Sequence, residues 1–388
     1  VTITAPKGFR ASGVTAGIKA SGKPDVALVV NDGPDKNAAA VFTSNRVAAA
    51  PVRWSRQAIS DGRADAVILN SGGANACTGP QGFQNAHTTA EKTADVLGVS
   101  AADVVVCSTG LIGEQLPMDK VLAGVDAAAA ALADDGGHSA ALAIMTTDTV
   151  PKEAVFTGTD SDGAAYTIGG IAKGAGMLAP GLATMLVVLT TDAATAPEML
   201  DAALRDATRV TFDRADSDGC MSTNDTVVLL SSGASAAVPS AEQFTDGLTQ
   251  VCAELARKLI GDAEGASHDI AIRAFNAATE SDAEVVARAV ARSNLFKTAI
   301  FGKDPNWGRV LSAVGTTDAV FDPDELSVTI NGVEVCQNGG IGEDRSLVDL
   351  EPRDVLVEID LSAGDAEATI LTNDLTHDYV HENSAYSS

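Results

Sequence analysis

Short β-branched apolar runs alternate with alanine-rich stretches along almost the whole chain, and this alternation restricts the fold more than any other feature. DVALVV (25–30), ADAVILN (64–70) and DVVVCSTG (103–110) read as strands, the last two running into Gly or Ser/Thr loops. AHTTAEKTADVLG (86–98) and MDKVLAGVDAAAAALA (118–133) read as helices, each closing a strand–loop–helix unit. Further on come a strand over 184–190, a helix from about Ala196 to Arg209 and the strand TVVLLSS (226–232). A helix from Ala241 to about Ile260 follows, then the strand HDIAIRAF and a helix over 281–300, whose opening Ser281-Asp282-Ala283-Glu284 fits a capping box. Asn331-Gly332 between alternating runs signals a two-residue hairpin. Crossovers and hairpins together predict α/β layers. At 388 residues the chain holds two core-bearing units or one large α/β body. Aromatics are only 4% of it, so the core must be built mainly from Ala, Val, Leu and Ile.

Charge excludes whole classes of partner. The chain carries 52 acidic and 26 basic residues, a formal net charge of −26, which repels nucleic acid and anionic lipid. The acids are scattered and apolar content is 45%, so disorder does not explain them. An evenly acidic surface suits a salt-rich cell interior, because at molar salt the Debye length falls to about 3 Å and self-repulsion is screened. This reads as halophilic adaptation of the haloarchaeal type. No run of eighteen apolar residues spans a membrane, and VTITAPKGFRASGVTAG lacks the basic-then-apolar pattern of an export signal, so a cytoplasmic location is expected. The five cysteines are widely spaced without C-x-x-C and read as buried free thiols. The five histidines adopt no metal-ligand spacing, so no metal site is expected.

Most familiar motifs fail. GGIAKGAG (169–176) lacks the order of a phosphate loop, and the two DSDG stretches (160–163, 216–219) lack the glycine and glutamate of a calcium loop and read as turns. No G-x-S-x-G elbow is present. KGAGMLAPGLATMLVVLTTDA (173–193) stands apart: a glycine-rich loop with Pro180 enters an apolar strand through Thr184. Threonine becomes a nucleophile when a base sits beside it, and a chain-terminal threonine carries its own α-amine, titrating near 8. Internal Thr184 reaches that state if its hydroxyl attacks the Ala183 carbonyl and the ester is hydrolysed. On this segment alone the plainer reading, a β-branched residue starting a core strand, stays open.

Eight segments change that balance. NSGGANACTG (70–79), CSTGLIGEQLPMDK (107–120), AIMTTDT (143–149), KGAGMLAPGLATMLVVLTTD (173–192), DSDGCMSTNDT (216–226), GDAEGA (261–266), FGKDPNWGR (301–309) and ENSAYSS (382–388) occur in the order found in the ornithine acetyltransferase (glutamate N-acetyltransferase) family. The chain resembles that family nearly end to end. The resemblance implies an α/β/β/α layered fold with an N-terminal-nucleophile site. It implies self-cleavage at Ala183–Thr184 into an α chain (1–183) and a β chain (184–388), paired as a heterotetramer of two each. Thr184 then takes the acetyl group of N2-acetylornithine and passes it to glutamate in a ping-pong cycle of arginine biosynthesis. Thr109 and Gly110 match the oxyanion-binding pair. Thr146, Lys173, Thr184, Glu264, Asn383 and Ser388 match the substrate contacts, with Thr147 the alternative to Thr146 and the tail folded back over the site. No cofactor is implied, and acetyl-CoA stays open as a second donor. Gly181 and Leu182 replace bulkier or polar residues expected in many relatives, which loosens the approach to the cut. A self-processed amidohydrolase or aminopeptidase with the same nucleophile is the alternative.

Overall fold

The computed structural model describes residues 2–178 and 185–385. Before the gap lie strands β1 (Phe9–Val14), β2 (Val26–Asn31), β3 (Asn37–Phe42), β4 (Ala66–Gly73), β5 (Val104–Leu111), β6 (Lys152–Thr159) and β7 (Ala165–Lys173), with helices α1 (Ala50–Ala58), α2 (Gly79–Leu97), α3 (Met118–Ala130) and α4 (Gly137–Ala143). After it come β8 (Leu186–Thr191), α5 (Pro197–Val210), β9 (Thr226–Ser231), α6 (Ala241–Gly261) and β10 (Asp269–Ala277). The remainder holds α7 (Glu280–Ala291), α8 (Asn294–Phe301), α9 (Trp307–Val314), β11 (Ser327–Ile330), β12 (Val333–Gln337), β13 (Gly340–Ile341), β14 (Asp354–Asp360), β15 (Ala366–Asn373) and α10 (His377–Ala385).

Two sheets stack face to face. One runs β1–β2–β4–β5, the other β3–β9–β8–β7–β6. Val29, Val67, Leu69 and Val105 of the first pack against Ile171, Leu186, Val188, Val228 and Leu230 of the second. The neighbouring residues of each strand point the other way: Ala66, Ile68, Val104 and Val106 meet Ala90, Ala94 and Val125 of α2 and α3. Val187, Leu189, Val227 and Leu229 meet Leu200, Leu204, Phe244 and Leu248 of α5 and α6. The layers are therefore α/β/β/α, as the resemblance implied. Strands covered on both faces cannot alternate apolar with polar, which is why these runs read as unbroken apolar stretches.

A third sheet, β13–β12–β11–β14–β10–β15, follows. One face buries Ile270, Ile272 and Val357 against Val286, Val290 and Val310 of α7 and α9. The other carries charge, with Arg273 pairing Glu358 at 3.0 Å and also Glu367. The hairpin falls where expected, Ile330 opposite Val333, with Asn331 and Gly332 at φ 45 and 83°.

Four local expectations need correction. The helix over 281–300 is two helices, because Ser293 caps α8 by accepting from the Phe296 N–H at 3.3 Å. Its start is capped by Thr279, which accepts from the Asp282 N–H at 3.1 Å, so Ser281 lies inside the first turn. The helix expected from 86 begins at Gly79, with Pro80 in the first turn, where a missing N–H costs nothing. The cysteines divide: Cys107, Cys252 and Cys336 are buried, but Cys77 and Cys220 sit in exposed loops. Among the described residues no helix is long and apolar enough to cross a membrane.

Candidate active site

Segments that leave the ends of β5 and β7, and the one that enters β9, line one cleft. Thr109 and Gly110 come from the end of β5, and Thr146 and Thr147 from the loop after α4. Lys173 ends β7, with Gly176 and Met177 in the loop it enters. Asp218, Cys220 and Asn224 precede β9, Glu264 follows α6, and Tyr379 and Asn383 lie on α10. Six residues singled out in the sequence, Thr109, Gly110, Thr146, Lys173, Glu264 and Asn383, thus share a cavity although they span most of the chain. Ala183, Thr184 and Ser388 lie outside the described residues, as do Gly181 and Leu182.

Lys173 organises one wall. It is the last residue of an interior strand and only 1% exposed. Its ammonium donates to Thr146 Oγ1 at 2.7 Å and Thr109 Oγ1 at 3.2 Å. Each hydroxyl accepts from the lysine and so keeps its own proton to donate. An ammonium has three donors, and these bonds use two. Burial lowers the Lys173 pKa from the ordinary lysine value, opposed by the nearby Asp148 carboxylate.

Behind this wall lies a polar network that sequence reasoning missed. Asp148 accepts from the backbone N–H of Thr146 at 2.9 Å and of Gly174 at 2.7 Å, fixing both neighbours of the Lys173 contact. It also takes the Lys152 ammonium at 2.6 Å, which reaches Asp262 at 2.6 Å as well. Burial alone would raise the Asp148 pKa; the ammonium groups of Lys173 and Lys152 overcome it and hold the carboxyl at about 2. An acid inside MTTD gave no hint of this, because Lys173 and Gly174 lie well along the chain and come beside Asp148 only once β6 and β7 pack.

At Gly110 β5 runs close against β4. Its φ is 131°, and a Cβ there would sit 2.5 Å from the Gly73 nitrogen, so only glycine fits. Across the cleft Glu264 accepts from Thr147 Oγ1 at 2.8 Å and from Asn383 Nδ2 at 2.9 Å. Both threonines of the pair therefore face the site, Thr146 toward the lysine and Thr147 toward the glutamate. Asn224 ties the far loop down, its amide donating to the carbonyls of Ala74 at 2.6 Å and Ser108 at 2.7 Å. Asp225 accepts from the Met185 N–H at 3.1 Å and so anchors the residue that follows position 184. Burial pushes the Asp225 carboxyl well above its usual range. Asp218, Asn224 and Asp225 all fall in DSDGCMSTNDT, a segment that carried the resemblance but assigned no roles.

A layered body with one cleft combining a buried cation, hydroxyls and carboxylates has the build of an enzyme. A model of the ArgJ family matches residues 10–388, and the chain belongs to that family. It is 66% identical to the arginine biosynthesis bifunctional protein ArgJ of Streptomyces coelicolor and 64% identical to that of Thermobifida fusca, each match covering 100% of both chains. A crystal structure of ornithine acetyltransferase from Mycobacterium tuberculosis, complexed with ornithine, is 55% identical and covers 48% of this chain and 96% of its own, with a TM-score of 0.44.

Proposed function

We propose that this chain transfers the acetyl group of N2-acetylornithine to glutamate in arginine biosynthesis, with Thr184 as the nucleophile after self-cleavage at Ala183–Thr184. The observation that supports it best is the meeting of Thr109, Gly110, Thr146, Lys173, Glu264 and Asn383 in one cleft, which Met177 also lines. In the acylation step the Thr184 α-amine takes the hydroxyl proton as the oxygen attacks the acetyl carbonyl, and ornithine leaves with that proton on its α-nitrogen. Thr109 and Gly110 donate to the oxygen that gains charge. The third donor of Lys173, unmatched among the described residues, suits the α-carboxylate common to both substrates, while Glu264 suits an amine. Glutamate then attacks the acetyl ester by the reverse sequence. Nothing in this cycle requires a cofactor. Asn383, with Ser388 beyond it, closes the cleft from the tail.

The second sheet takes β3, β6 and β7 from before the cut and β8 and β9 from after it, which supports fragments 1–183 and 184–388 that stay together. A heterotetramer of two such pairs, a cytoplasmic location and a salt-tolerant acidic surface complete the proposal. Intact mass and N-terminal sequencing test the cut: two chains are expected, one beginning Thr-Met-Leu-Val. Labelled acetyl from N2-acetylornithine must then appear on glutamate. Label found only in free acetate would make the protein a hydrolase, and an active, cleaved Thr184→Ala variant would remove the nucleophile. Acetyl-CoA is tested as second donor in the same assay.

A further inference from the structure

A pocket that serves both half-reactions meets a chemical conflict at one place. N2-acetylornithine and glutamate share an α-carboxylate and an α-nitrogen, but their side chains end in an ammonium and a carboxylate respectively. A fixed charge at that end of the cleft would favour one substrate and oppose the other.

The wall away from Lys173 carries two acids on either side of one loop. The Glu264 backbone N–H donates to the Ala175 carbonyl at 2.9 Å, and a Cβ on Gly176 would lie 2.6 Å from Glu264 Oε2. The next residue, Met177, donates its N–H to Asp218 Oδ2 at 2.8 Å. Asp218 Oδ1 takes the Cys220 N–H at 3.1 Å. Asp218 therefore lines the cleft with both carboxyl oxygens on main-chain N–H groups and a side-chain hydrogen bond to Tyr379 beside them. Facing it are Glu264 from the turn after α6, Tyr379 from α10 and Lys297 from α8, with Cys220, Asp216 and Arg292 around the same loop. Lys297 is itself committed to the Ser217 carbonyl and to Thr372 Oγ1. Arg292 is committed to Asp216 at 2.7 Å.

We infer that Asp218 is the side-chain specificity residue of this cleft, ionised when it faces the ornithine ammonium and protonated when it faces the glutamate γ-carboxylate. The inference rests on the substrate pair proposed above. A protonated carboxyl donates one O–H to a carboxylate, so the same side chain satisfies either end group while no residue moves. The proton comes from solvent. Burial raises the Asp218 pKa from its ordinary range, against the Cys220 and Met177 N–H bonds and the Lys297 charge that lower it, and the Glu264 charge adds to the rise.

The test is proton uptake on binding to the cleaved, unacetylated enzyme, measured by titration calorimetry in two buffers of different ionisation enthalpy. Glutamate is expected to take up close to one proton more than ornithine does. Groups common to both complexes, including the Thr184 amine, cancel in that difference. In Asp218→Asn the difference vanishes, KM for N2-acetylornithine rises about tenfold or more, and KM for glutamate stays within a few fold. Equal proton uptake by the two ligands in the unaltered enzyme overturns the inference, and that measurement does not depend on the variant folding. Absence of acetyl transfer in the unaltered enzyme would instead overturn the substrate reading.

Discussion

Replacing Asp148 by Asn should separate a positioning network from a merely polar one. The substitution keeps the size of the side chain but removes the negative charge that Lys152 contacts at 2.6 Å with both side chains 0% exposed. Lys152 keeps Asp262, yet Lys173 loses its chief counter-charge. Leaving a buried charge short of its partner costs about 3–5 kcal/mol. Proton linkage gives an independent figure: a pKa held at about 2 against an ordinary 3.8 corresponds to about 2–3 kcal/mol at neutral pH. The sign follows from the direction of the shift. A depressed carboxyl contributes its full stabilisation above its unfolded pKa and loses it as pH falls through the folded one, so the loss lies between roughly pH 4 and pH 2. Urea unfolding of the parent and Asp148→Asn at neutral pH should differ by about 2–5 kcal/mol, and the gap should shrink on acidification through that window. Acetyl transfer should fall in the variant, because Thr146 and Gly174 lose one of their two anchors. A variant within about 0.5 kcal/mol of the parent, or a gap constant with pH, would refute the reasoning.

Other expectations follow from single positions. Gly110→Ala forces a Cβ to 2.5 Å from the Gly73 nitrogen at a φ of 131°, so kcat should drop by about 10²–10³, the cost of losing one oxyanion donor. Lys173→Met should lower kcat/KM by about 10- to 200-fold, as loss of a charged hydrogen bond of about 1.5–3 kcal/mol predicts. In the parent, activity should decline on the alkaline side below the ordinary lysine pKa of about 10.4, because burial lowers that of Lys173 and the ammonium is lost as pH rises through it; a profile flat to that point would count against the ammonium's role. With a net charge of −26, thermal stability should climb as potassium chloride is raised from low to molar concentration, followed by scanning calorimetry. A melting temperature independent of salt would remove the halophilic reading.

Much of the architecture was legible in the chain because it is written in local terms. β2, β4, β5, β8 and β9 appear as unbroken apolar runs because both faces of the two stacked sheets are covered, and the Asn331-Gly332 turn needs two positive φ values that few other pairs supply. Helix ends were less legible. Thr279 and Ser281 are both competent caps, and which one is used depends on where β10 releases the chain.

For the site, sequence order determined the family resemblance and with it the residues to look for, since eight segments in one order are a property of the chain alone. The roles of those residues are tertiary. Lys173 is a buried cation, not a surface lysine, because β7 lies between β6 and β8 in the middle of the stack. Asp148 and Lys152 are balanced by each other, Asp262 and Lys173 once packing has excluded water, and no local pattern announces it. Asp218 is a turn residue in any local reading of DSDG, and it becomes a wall of the cleft only where the loop before β9 meets Met177 and α10. Periodicity and turn chemistry act over a few residues and are carried by the sequence. Burial, counter-charge and the proximity of distant side chains exist only in the folded molecule, and they decide which of its polar groups can do chemistry.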